Sequence, residues 1–187
     1  MQVQSFLSVR QALQVPREYG YVVLAASATL FNLMWHAHRG SPSRQAARLP
    51  WPYQHASRAE VNSANLPELK RALHLFNCAQ QAHENYMENL PCLLLPLMIS
   101  GLRWPIVAAA MGLLWNLGRV FYALGYKRYG PPNRLSDAVA AIMHRVGYTM
   151  PGARNGMGRL WGSWFNMIQV VLMFMATRVV GWDMVQL

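Results

Sequence analysis

The sequence predicts an all-α protein, a four-helix transmembrane bundle, and three observations carry that expectation. Of the 187 residues, 53% are hydrophobic and only 13% charged, a profile that suits a small membrane protein better than a soluble domain. Four segments have the length, roughly 20 helical residues, that a hydrocarbon core of about 30 Å requires. The basic residues cluster between alternate segments, which is the pattern that sets membrane orientation.

The first span is Tyr19 to His38, the second Ala72 to Leu102, the third Pro105 to Tyr126 and the fourth Leu160 to Val180, in a single membrane domain covering residues 1–187. The break "GLRWP" after the second span reads as an interfacial aromatic and proline turn, so spans two and three should pair antiparallel. Arg39, Arg44, Arg48, Arg58, Lys70 and Arg71 precede the second span, and Lys127, Arg128, Arg134, Arg145, Arg154 and Arg159 precede the fourth, whereas the short turn has only Arg103. Both long segments, 39–71 and 127–159, are therefore expected to face the cytosol. Pro91 and Pro96 should kink the second span. In "LSDAVAAIMHRVGY", Ser136 can cap a helix over about 136–147 that is too short to span and reads as interfacial.

Composition also excludes classes of function. The 17 basic residues against 7 acidic could suggest nucleic acid, but they are scattered between apolar runs, so a basic face toward anionic lipid or an anionic substrate fits better. No nucleic-acid partner is expected. Cys78 and Cys92 flank one candidate helix and read as reduced and packed. "HENYM" begins like a zinc-protease motif but has Met87 where the second histidine is required, and the two imidazoles of "HAH" at 36–38 lie about 200° apart on a helix, so no metal is expected. The first 17 residues lack acids and are compatible with an organelle-targeting segment or a surface helix. A cleavable secretory signal is disfavoured, because the basic residues follow the apolar patch.

The chemistry concentrates in "FNCAQQAHENYMENLPCLLLP", residues 76–96. On a helix, His74, Asn77, Gln81, Glu84, Asn85 and Glu88 fall within an arc of about 120°, a polar stripe running up to the apolar "CLLLPLMI". Glu88 is an ionisable group at a depth where charge is expensive unless paired. In "WNLGRVFYALGY" the third span offers a second polar face, Asn116, Arg119, Tyr122 and Tyr126 at three- and four-residue steps. A Glu88–Arg119 ion pair that only holds the bundle together is the plain structural reading. A pore or transporter subunit would continue such faces through the fourth span, where "FNMIQVVLMFMAT" supplies only Asn166 and Gln169.

These stretches resemble the family of membrane-associated proteins in eicosanoid and glutathione metabolism. The matching pieces are "EYGYVVL" at 18–24, "FNCAQQAHENYMENLP" at 76–91, "GRVFYALGY" at 118–126 and "PPNRLS" at 131–136. The resemblance implies a four-helix subunit, a homotrimer, and glutathione as co-substrate held between neighbouring subunits near the cytosolic face. It further implies glutathione-binding roles for Arg44, Gln81, His83, Asn85, Glu88, Asn89, Tyr122 and Tyr126, and a thiolate-stabilising role for Arg134. An apparent insertion after Arg134 makes Arg154 its competitor. The chain departs from the family at Gln81, where an arginine is usual, and at Gln45, where a second basic residue is expected; Arg71 or Arg119 would then substitute for the charge lost at Gln81.

The implied activity is a membrane-bound glutathione transferase or peroxidase acting on a hydrophobic second substrate drawn from the bilayer. The alternative is a non-catalytic relative that binds and presents lipid. The implied location is the endoplasmic reticulum, with the mitochondrial outer membrane as the other candidate.

Overall fold

The computed structural model describes residues 15–126 and 164–184, and every regular element among them is helical. In chain order these are α1 (Tyr19–Arg39), α2 (Ser41–Ala46), α3 (Arg58–Ser63), α4 (Pro67–Gly101), α5 (Pro105–Tyr126) and α6 (Met167–Arg178). A 3-10 turn (Trp164–Asn166) leads into α6 and a π-helical turn (Val179–Met184) follows it. The interfacial helix expected over 136–147 lies outside the described residues.

Local chemistry accounts for the boundaries. Proline occupies the first position of both α4 and α5, where its missing N–H costs nothing and its fixed φ favours the helix. Glu68 in the first turn of α4 complements the helix dipole. α4 thus begins five residues before the expected start, and it runs unbroken through Pro91 and Pro96. α2 ends in a Schellman motif: Arg48 N–H donates to Gln45 O at 3.1 Å and Leu49 N–H to Arg44 O at 3.3 Å. This places Arg48 at φ 53°, a left-handed position usually given to glycine. α3 opens with a capping box, Ser57 N–H donating to Glu60 Oε2 at 2.6 Å and Glu60 N–H to Ser57 Oγ at 3.1 Å. Hydrogen bonds from Ser57 to the carboxyl, that of its backbone N–H first and that of its side chain second, hold Glu60 below its ordinary range.

The described residues fall into two compact units, one drawn from Met1–Leu30, Asn89–Asn116 and Asn166–Leu187, the other from Phe31–Glu88 and Leu117–Phe165. In the first, α4 turns back into α5 through Leu102–Trp104, and small residues allow close packing. A Cβ on Gly101 would meet Val22 Cγ2 at 2.7 Å, and one on Gly112 would meet Leu97 Cδ1 at 3.1 Å. Polar groups are paired in the interior: Asn116 Nδ2 donates to Thr29 Oγ1 at 2.8 Å, and Gln169 Nε2 to Asn89 O at 2.8 Å. The Ser100 hydroxyl lies against the carbonyls of Pro96 and Leu172.

The second unit joins the end of α1, α2, α3, the first part of α4 and the end of α5. One apolar cluster packs Ala47, Ala56, Ala72 and Leu73 with Leu49, Val61, Ala64 and Leu69, seating the α2–α3 segment on α4. Another packs Ala82 of α4 against Tyr122 and Ala123 of α5. Phe165 sits directly on the Gly118 backbone.

Exposure in both units is the reverse of a water-soluble fold. Leu24, Phe31, Leu95, Ile106 and Phe174 are each more than 60% exposed, while Thr29, His36, Ser100 and Arg119 are at most 2% exposed. Large apolar side chains turned outward over a polar interior are what a lipid solvent selects. Two described stretches, Pro105–Leu124 and Trp164–Trp182, are long and apolar enough to cross a bilayer by that measure. α1 and α4 are long enough but carry more polar residues: Asn32 and His36 in the former, the His74–Glu88 run in the latter.

Gly118→Ala should destabilise the protein by about 1–3 kcal/mol through overpacking against Phe165, measured by thermal unfolding in detergent. The double variant Gly118→Ala/Phe165→Ala should lose less than the sum of its parts. The protection of the Ser57 amide from hydrogen exchange, relative to its intrinsic rate at each pH, should hold above an ordinary glutamate's pKa and drop as pH falls through the lowered value. Glu60→Gln should remove that transition.

Candidate functional site

The polar stripe of α4 serves two purposes in the second unit. Its first turns hold the segment between α2 and α3. Asn77 clasps Ala56 in both directions, accepting from its N–H at 2.8 Å and donating to its carbonyl at 2.9 Å. His55 Nε2 lies 3.5 Å from Glu84 Oε2. Arg44 forks into the same segment, Nη2 donating to Tyr53 O at 2.6 Å and Nη1 to Pro50 O at 3.3 Å. Its guanidinium lies 4.1 Å from the Trp51 ring centroid and 4.6 Å from that of Phe76. These contacts fit a loop anchor well, since only a planar fork bonds two carbonyls while stacking on rings.

The later turns of the stripe meet α5. Arg119 is fully buried, and its Nη2 donates to Asn85 Oδ1 at 2.8 Å. The guanidinium lies 4.4 Å from the Tyr122 ring centroid and 5.6 Å from that of Tyr86. Tyr86, with no exposed surface, stacks on His36 of α1 with ring centroids 4.6 Å apart, and its hydroxyl is hydrogen-bonded to the Asn32 side chain. His36 is itself 2% exposed. One buried cluster, Asn32, His36, Asn85, Tyr86, Arg119 and Tyr122, thus ties three helices together.

The residues singled out from sequence separate accordingly. Asn85 and Tyr122 are brought together around Arg119. Gln81 and Glu88 are exposed, seven residues apart on the same side of α4 with His74. Arg119 meets Asn85 rather than Glu88, so the expected Glu88–Arg119 ion pair does not form: Glu88 turns outward while the guanidinium is sequestered inside. His83 is half-buried, and its Nδ1 has no hydrogen-bond partner among the described residues. Arg44 is committed to loop carbonyls. Asn89 belongs to the other unit, where its carbonyl accepts from Gln169. Arg71 is exposed. Tyr126 ends α5 and its side chain is outside the described set, as are Arg134 and Arg154 entirely.

Asn32 and Tyr86 belong to no motif picked out above, and His36 figures there only as a poor chelator. Thr29, Asn32 and His36 recur at three- and four-residue steps in an otherwise apolar helix, and that spacing is the signal that marks them as an inward polar face. Cys78 and Cys92 are free, Cys78 half-buried with its Sγ 3.5 Å from His74 Nε2, and Cys92 exposed rather than packed. Among the described residues, no group of three or more His, Cys, Asp or Glu side chains is arranged to hold a metal ion.

An all-helical fold with outward apolar faces and a buried polar cluster between its helices is that of a membrane-associated protein. Residues 22–144 match the MAPEG family, about two-thirds of the chain, and the protein belongs to that family. No solved structure matches the chain.

Asn77→Ala should strip both partners from Ala56, at a local cost of about 1–3 kcal/mol. The Ala56 amide should then exchange at least tenfold faster, and Arg44→Lys, which cannot fork and stack together, should loosen the same segment.

Proposed function

We propose that the protein is a membrane-bound glutathione transferase or peroxidase that activates the glutathione thiolate against hydrophobic electrophiles or lipid hydroperoxides. The observation that carries this reading is the meeting of Asn85 and Tyr122 around Arg119 inside the segment that matches a family of glutathione and eicosanoid metabolism. Within that family the motif pieces resemble microsomal glutathione S-transferase type 3.

Glutathione carries two carboxylates and one ammonium. A pocket for it needs amide or guanidinium donors for the former and a carboxylate for the latter. Asn85, Tyr122, Tyr126, His83 and Gln81 supply polar groups on two helices, and exposed Glu88 is the candidate partner for the ammonium. Exposed His74, Gln81 and Glu88 on one side of α4 favour a site completed by a neighbouring subunit, in keeping with a homotrimer of four-span subunits. In this reading α1 and α4 cross the bilayer because their polar groups are buried or turned toward that neighbour.

Arg134, with Arg154 as its competitor, is assigned to the thiol. A thiol of pKa about 8.5 is mostly protonated at neutral pH, and a guanidinium beside it raises the thiolate fraction. In conjugation, the thiolate sulfur bonds to the electrophilic carbon, whose leaving group departs or whose π electrons take up a proton. In reduction, it attacks a peroxide oxygen, the O–O bond breaks and the lipid alcohol leaves after protonation. A second glutathione then displaces water from the resulting sulfenic acid, forming the disulfide. The hydrophobic substrate would enter from the bilayer, and the endoplasmic reticulum is the membrane assigned.

A second reading, a non-catalytic lipid-binding member, draws on the commitment of Arg44 to loop carbonyls and on neutral Gln81. The two readings separate in purified protein given glutathione, by ultraviolet thiolate absorbance and by turnover with a model electrophile and a lipid hydroperoxide. Wild type should show both signals. Arg134→Ala should lower turnover on the order of a hundredfold and abolish the thiolate signal, with Arg154→Ala retaining both. Absence of both signals in wild type would leave the lipid-binding reading.

A further inference from the structure

A cleft of about 500 Å³ lies where the end of α2, the end of α3 and the first turns of α4 meet. That volume is in the range of small-molecule sites. Leu49, Leu66, Leu69 and Leu73 give it an apolar wall, and Arg48 and Glu60 line the same cleft. The wall is firmly held: Leu73 is buried in the cluster that seats the α2–α3 segment on α4, and Leu49 and Leu69 pack against that cluster. Leu66 remains 66% exposed. The same segment exposes Trp51 (80%) and Tyr53 (55%), side chains of the kind that settles at the headgroup level of a bilayer.

The two charges do not neutralise each other. Among the described residues no ion pair joins Arg48 to Glu60, and the exposed Arg48 side chain has no hydrogen bond. Arg48 stands at φ 53°, where a helix end ordinarily takes glycine. The chain thus keeps a cation at a position where a residue without a side chain would be less strained. Glu60 accepts from the Ser57 N–H, which favours its ionised form, and a carboxylate has lone pairs left for a second donor.

We infer that this cleft seats one membrane phospholipid whose headgroup carries both a phosphate and a primary ammonium. The phosphate lies at Arg48, the ammonium at Glu60, and the first part of an acyl chain runs along the leucines. A guanidinium pairs with phosphate through two parallel N–H bonds, and a carboxylate accepts from an ammonium. A quaternary headgroup has no N–H to give Glu60, and a headgroup of net negative charge is repelled by it. None of the residues assigned to glutathione lines the cleft, so the inference stands apart from that reading.

The test offers the delipidated full chain, in detergent, palmitoyl-oleoyl phosphatidylethanolamine, phosphatidylcholine or phosphatidylglycerol, and measures bound lipid by native mass spectrometry. Wild type should hold phosphatidylethanolamine at least about tenfold more tightly than either of the others, as for a hydrogen bond to a charged group. Arg48→Gly and Arg48→Asn both suit a left-handed backbone, so they should keep the thermal unfolding temperature while losing affinity by at least about the same factor. Glu60→Gln can still close the capping box, and it should bind phosphatidylethanolamine and phosphatidylglycerol alike. Glycerophosphoethanolamine, the headgroup without its chains, should not displace the lipid. Equal retention of the three lipids by wild type would overturn the inference. So would folded Arg48 variants that bind as wild type does, an unchanged preference in Glu60→Gln, or displacement by glycerophosphoethanolamine.

Discussion

A guanidinium buried in an apolar helix sets the terms for the second unit. At membrane depth a charged side chain costs about 3 kcal/mol or more, so Arg119 must be met by groups that offset the loss of water. Its own helix and its neighbours supply them: a tyrosine ring from α5, and an amide oxygen and a second tyrosine ring from α4, the last pinned by α1. Three helices are therefore held by one cation. The side chains around it cannot be rearranged singly, because moving Tyr86 releases both Arg119 and His36.

The same solvent logic explains the rest of the architecture. With apolar residues free to face lipid, packing between helices is left to close approach and to interior polar pairs. Gly101 and Gly112 provide the first, where added methyls would run into Val22 and Leu97. Asn116 with Thr29, and Gln169 with the Asn89 carbonyl, provide the second. The segment between α2 and α3 follows different rules, with a capping box, a Schellman turn and an arginine fork of the kind that water-exposed chain uses. Its tie to Asn77 and Glu84 brings it onto the stretch of α4 richest in the family's motif.

Much of this was legible in the sequence, for identifiable reasons. As helices, α1 runs one residue past the expected His38, to Arg39, and α5 begins and ends where Pro105 and the apolar length place it, at Pro105 and Tyr126. The early start of α4 was also written there, in Pro67 and Glu68, but the polar composition of its first turns drew attention to the apolar core instead. The polar stripe was visible as periodicity. Its division was not, because periodicity says which residues share a face and nothing about what packs on each part of that face. A loop from more than twenty residues upstream claims Asn77, and an arginine thirty-four residues downstream claims Asn85. The angle between His36 and His38 excludes a chelate. The actual role of His36, packing a tyrosine inside the bundle, needs a partner that only the fold supplies. The capping box of α3 is written locally, in the S-x-x-E spacing of Ser57 and Glu60.

The most direct measurement is a structure of the protein in lipid with glutathione bound. On the proposed glutathione reading, the ligand lies against the side of α4 that carries exposed His74, Gln81 and Glu88, with a neighbouring subunit completing the site. Glutathione held away from that side of α4, or no glutathione bound at all, would contradict it.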